Sequence, residues 1–130
     1  MNNPANLKYT ITDEWVKVEG QTATIGVSDF AQEQLSDVVY FEAAASVGDK
    51  IKQGQPAASI ESVKAAAEVK APVSGTVIEV NEDLGSSPEK INSDPYGEAW
   101  MLKVTLSNTA ELSSLMDAKA YEEYCSKRGH

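Results

Sequence analysis

Two stretches of this chain, VGDKIKQGQPAASIES (residues 47–62) and VKAPVSGTVIEVNEDLG (69–85), each join a glycine turn and a proline to a β-rich run, and they flank one lysine, Lys64. Glycine and proline punctuate short extended segments, so the pair reads as two half-similar units with the chain folding back on itself at the lysine. Such a chain builds its body from many short strands.

The rest of the sequence agrees. WVKVEG (15–20) alternates Trp15, Val16 and Val18 with Lys17 and Glu19, turns at Gly20-Gln21 and resumes as TATIGV, the pattern of a hairpin. SDFAQEQLSD (28–37) predicts one short helix, with Ser28 as N-cap, Asp29 in the first turn and Phe30, Gln34 and Leu35 near one face. DVVYFE (37–42) is β-branched and aromatic and predicts a strand that ends at Ala43-Ala44-Ala45. GSSPEKINSDPYGEA (85–99) reads as a long polar loop, and WMLKVTL (100–106) closes the β part. From Thr109 to Lys127 the tail is expected to be helical, Thr109 or Asn108 capping a first turn and Asp117 a second. Leu112, Leu115 and Met116 form its apolar stripe, which Tyr121 and Tyr124 continue, so the tail is expected to pack on the β body.

The 130 residues suit one compact domain, taken as 1–130, with a core at about 7–106 and C-terminal helices at about 109–127. No run approaches the ~18 consecutive apolar residues of a membrane span. MNNPANLKYT has neither the pattern of a secretory signal nor that of a transit peptide, which leads us to expect a cytoplasmic location of bacterial type, or a mature organelle form. Twenty acidic residues against eleven basic ones leave a net charge of −9, which repels phosphate backbones and anionic lipid surfaces. Nucleic acid and membrane are poor partners for it, and proteins with basic docking faces are good ones.

Catalytic groups are scarce. The single histidine is His130, at the chain end, where fraying is expected. Cys125 is the single cysteine and is read as a half-buried helix residue without a role. No calcium-loop spacing, His/Cys ligand set or Gly-rich phosphate cradle is found, so neither a metal nor a catalytic residue is assigned. Lys64 has a chemical use: a lysine amine is a natural acceptor for an amide-linked group, and Ala65, Ala66 and Ala67 leave room around it for a modifying enzyme. An exposed lysine is also an ordinary solvated residue, and composition does not separate Lys64 from Lys50 or Lys70.

ESVKA (61–65), followed by PVSGTVIEVNEDL (72–84), resembles the lipoyl-lysine segment of the glycine cleavage system H proteins. The likeness continues in order through YTITDEWVKVEG (9–20), ATIGVSDFAQEQLSDVVYFE (23–42), VGDKIKQGQ (47–55), NSDPYGEAWMLKV (92–104) and ELSSLMDAKAYEEY (111–124). The resemblance implies a mainly β fold, a flattened barrel-sandwich hybrid of the lipoyl/biotinyl-carrier type, with a short helix in the N-terminal half and a helical C-terminal extension. It implies a carrier that is not itself an enzyme, with lipoate joined covalently to Lys64. The arm would take an aminomethyl group from glycine decarboxylase to aminomethyltransferase and be reoxidised by dihydrolipoyl dehydrogenase. A lipoyl ligase or transferase would load it, helped by Glu61. Thr12, Glu14 and Glu68 match positions lining the cleft in which the arm rests.

Three departures from the family pattern stand out: Glu68 where aspartate is more usual, Asp13 in place of the histidine of a His-Glu-Trp tripeptide, and FEAAASVG in place of an apolar-Pro segment. Glu14 and Glu68 could equally be surface acids with no ligand. Gly75 is expected to supply a backbone conformation that other residues resist. Trp15 and Trp100 are expected in the core, although with Tyr40 and Tyr96 they could serve as docking anchors. A monomer is expected. Two other functions remain open: an H-like protein that relays lipoate to other lipoyl-dependent complexes, and an unmodified acidic interaction module.

Overall fold

A computed structural model describes residues 3–128. In chain order it contains β1 (Lys8–Tyr9), β2 (Glu14–Glu19), β3 (Thr22–Val27), α1 (Asp29–Leu35), β4 (Val38–Ala43), β5 (Lys50–Ile51), β6 (Pro56–Ser62), β7 (Ala66–Lys70), β8 (Gly75–Val80), α2 (Asp83–Ser86), α3 (Lys90–Ser93), β9 (Leu102–Leu106), a 3-10 turn (Thr109–Ser114) and α4 (Ala118–Arg128). The strands form a six-stranded sheet, β1-β2-β3-β9-β8-β5, and a three-stranded sheet, β4-β6-β7. They remain two open sheets, a sandwich rather than a closed barrel.

The fold-back at Lys64 governs the register. Glu61 pairs with Ala66, Pro56 with Lys70, Ile51 with Gly75 and Lys50 with Thr76, so each pair lies about symmetrically around Val63-Lys64. β6 and β7 stay in the small sheet while β5 and β8 join the large one, and one nested hairpin therefore stitches both layers together. The β2–β3 hairpin also forms, closing at Gly20 with φ +64°, the positive angle a glycine-first turn needs. Gly75 corrects our expectation. Its φ is ordinary, and a side chain is excluded there because a Cβ would collide with the Thr105 carbonyl oxygen on β9.

Between the sheets, Val16, Ile25, Ile60, Val69, Val73, Val77, Leu102 and Val104 are buried in one apolar cluster. Leu7, Tyr9, Trp15, Phe30, Tyr121 and Cys125 form a second one. The tail closes this second cluster: Tyr9 and Tyr121 stack with ring centres 4.6 Å apart, and Tyr9 and Met116 exchange two backbone hydrogen bonds of 2.8 Å. Asn108 and Asp117 cap the tail by accepting from the Ala110 and Ala120 amides.

Further expectations are corrected. The polar loop contains α3 and the end of α2, because burial of Leu84 and Ile91, each worth about 2 kcal/mol, offsets part of the entropy of ordering it. Cys125 is fully buried, not half-buried, because it faces the aromatic cluster. Trp15 is buried and donates to the Pro95 carbonyl at 3.0 Å, whereas Trp100 is only partly buried, under the Lys103 ammonium. Gln34 is exposed although it shares a helix face with Phe30 and Leu35. His130 lies outside the described residues. No described helix is long and apolar enough to cross a membrane.

Candidate functional site

Lys64 stands at the tip of the β6–β7 hairpin and is exposed, between exposed Val63 and Ala65. Ser62 holds the tip from below. Its backbone amide donates to the Ala65 carbonyl at 2.7 Å, and its hydroxyl oxygen accepts from the Ala65 amide at 3.0 Å and the Lys64 amide at 3.3 Å. The Val63 amide donates to the Asp37 carbonyl at 3.0 Å. With the donors of the tip engaged, the turn is fixed while the lysine side chain projects from it. Lys50 and Lys70 lie inside strand ladders, which distinguishes them from Lys64. Ser62 was not singled out in the sequence, although a serine just before a two-residue tip is a known local turn signal.

β7 leads from that tip to a cleft of about 440 Å³. Its lining brings together Thr12, Glu14 and Glu68 with the apolar side chains of Phe30, Leu35 and Ile60, and Arg128 borders it. From Lys64 to Glu68 is four residues of extended chain, about 13 Å.

Glu14 is 1% exposed, which overturns its reading as a surface acid. Its carboxylate accepts from the Thr10 hydroxyl at 2.7 Å, the Thr12 hydroxyl at 2.5 Å and the Lys70 amide at 3.1 Å. Burial pushes its pKa up, the three donated hydrogen bonds pull it back, and neighbouring Asp13 adds a smaller upward push, leaving a net rise. Thr12 and Glu68 are exposed at the cleft's edge. A buried carboxylate, a hydroxyl and a second acid above an apolar floor can receive a chain that is apolar along its length and polar or cationic at its end. No group of three metal-ligating side chains occurs among the described residues.

The residue that departs from the family tripeptide, Asp13, is held by two side chains of α4. Its carboxylate accepts from Arg128 Nη1 at 2.6 Å and Nη2 at 2.9 Å, and from the Tyr121 hydroxyl at 2.7 Å. Glu61 is exposed opposite Ala66, beside Tyr40, whose hydroxyl donates to Glu42 at 3.0 Å. Tyr96, partly buried, accepts from the Asp29 amide at 2.8 Å and so braces the start of α1.

A two-sheet domain that holds a lysine out on a hairpin, with a partly apolar cleft along the same strand, has the form of a carrier domain for a covalently attached group. The family model described as "Glycine cleavage H-protein" matches residues 7–128. The chain is 52% identical to the glycine cleavage system H protein of Thermotoga maritima, over 92% of this chain and 96% of that one. It is 49% identical to the H protein of Acidobacterium capsulatum over the whole of both chains. The crystal structure of the H protein from Mycobacterium marinum superposes with a TM-score of 0.83 at 28% identity, covering 98% of this chain and 99% of that one. The chain belongs to the glycine cleavage H-protein family. Its place is therefore that of the lipoyl carrier of the glycine cleavage system, a carrier component and not a catalyst.

Proposed function

We propose that Lys64 is the residue on which this chain carries lipoate, and that the cleft bounded by Thr12, Glu14 and Glu68 is where the loaded arm rests between partners. The observation that carries this reading is the exposure of Lys64 on a tip whose backbone is held by Ser62. An amine presented in this way can be acylated without disturbing the fold. When bound, lipoate supplies a cyclic disulfide that opens to a dithiol, a two-electron acceptor able to carry the aminomethyl group. The chain's own residues do the rest. Phe30, Leu35 and Ile60 offer an apolar wall that excludes water, while Thr12, Glu14 and Glu68 offer acceptors for an amine.

Tethering converts encounters with a free intermediate into docking of one protein with several enzymes at high local concentration. The partners we assign are glycine decarboxylase, aminomethyltransferase, dihydrolipoyl dehydrogenase and the ligase or transferase that loads Lys64 by way of Glu61. We assign the 130 residues to one cytoplasmic, monomeric domain. Intact mass of the chain co-expressed with a lipoyl ligase and lipoate tests the central step. One lipoyl increment is expected for the wild type and none for Lys64→Ala. An increment that survives the substitution, or none in the wild type with an active ligase, overturns it.

A further inference from the structure

The walls of the cleft come from separate parts of the chain: the turn that carries Thr12, Asp13 and Glu14, and the helix α1 with Phe30, Ala31 and Leu35. Both are tied to the last helix. Asp13 sits at φ +74°, a region that aspartate enters more readily than most non-glycine residues and in which its contacts here hold it. Its carboxylate takes both arms of the Arg128 guanidinium and the Tyr121 hydroxyl, all from α4. The same guanidinium lies 4.1 Å from the ring centre of Phe30, on α1. The Tyr121 oxygen accepts from Ser28, whose hydroxyl oxygen in turn accepts the Ala31 amide and caps α1. Asp13 also takes the Ser28 amide on its carbonyl at 2.9 Å. One network thus joins α4 to both walls.

The geometry points to α4 as a clamp that sets the separation of the two cleft walls, with Arg128 and Tyr121 as positioning residues for Thr12 and Glu14. The inference rests on the reading of this cleft as the resting place of the arm. The Asp13–Arg128 pair is bidentate and its side chains are only 14% and 29% exposed, so it is stronger than an ordinary solvated ion pair. Neither α4 residue needs to touch a carried group to act, because each works through Asp13 or Ser28.

Two amides report on the clamp directly: that of Ser28, which donates to Asp13, and that of Lys70, which donates to the Glu14 carboxylate. Amide hydrogen exchange is followed by NMR on the full, unmodified chain. In Arg128→Gln both amides are expected to exchange about tenfold faster, while Leu102 and Val104 in β9 keep their rates. Arg128→Lys keeps the charge but loses the fork, and is expected to fall between. Tyr121→Phe keeps the ring on Tyr9 and is expected to reproduce the Ser28 effect. Lys103→Gln removes a different ion pair and cation-π contact and is expected to leave both amides unchanged. Uniform acceleration that includes β9, or no change at Ser28 and Lys70, overturns the clamp. Since the readout needs no lipoate, it is separate from failure of Lys64 to be loaded, which intact mass detects.

Discussion

Glu14 shows how much one side chain can reveal about a cleft. A carboxylate at 1% exposure is held by three donors, and burial still outweighs them in its titration. With its pKa raised on folding, the native state holds this proton to higher pH than the unfolded chain does. Its contribution to stability is therefore complete below the ordinary carboxylate range and is lost as pH rises through the raised value. Urea unfolding of the wild type and Glu14→Gln, from about pH 4 to about pH 7, isolates this effect from all other acids. The wild type is expected to lose stability relative to the variant as pH rises across that interval. A difference that stays constant with pH contradicts the stated balance of burial against hydrogen bonds. Residue chemistry alone did not reveal this: in the sequence Glu14 is one of twenty acids, and it becomes singular only when β7 brings the Lys70 amide to it from 56 positions away.

Element by element, what was legible was local. The Gly20 hairpin, the Ser28 cap and the Asp117 cap each depend on residues within a few positions and appear as read. α2 and α3 were missed, because what orders them is burial of Leu84 and Ile91, which no local signal states. The Asp13–Arg128 clamp spans 115 positions and left no trace in either segment beyond an unusual aspartate. The Lys64 hairpin lies between these cases: the fold-back was legible, yet Lys50, Lys64 and Lys70 became distinct by physics only once the strands were placed. Ser62→Ala tests the tip as an element. Water can replace the hydroxyl at an exposed turn, so the expected loss of global stability is under about 1 kcal/mol. Exchange at the Lys64 and Ala65 amides is nevertheless expected to quicken, since both lose their acceptor. A stability loss of several kcal/mol, or unchanged exchange at both amides, would mean that something other than Ser62 holds the tip.

Over the whole molecule, charge is the property that partners meet first. The net −9 is not spread evenly: Glu42, Glu61 and Glu68 share the outer face of the three-stranded sheet next to Lys64, and none of them forms an ion pair among the described residues. Like charges on neighbouring strands repel, so this face gains most from a basic counterpart. Steering by such a face acts on encounter rate and is screened within about 8 Å at physiological salt. Association of the chain with purified glycine decarboxylase, followed by stopped flow, is therefore expected to slow as sodium chloride rises. Glu42→Gln, on that outer face but outside the cleft lining, should flatten that salt dependence, while Glu19→Gln, on the other sheet, should not. The two substitutions change net charge equally and differ in position and in that Glu19 faces Lys17 at 4.0 Å. If both variants show the same slope, only the total charge matters, and the face around Lys64 has no special part in encounter.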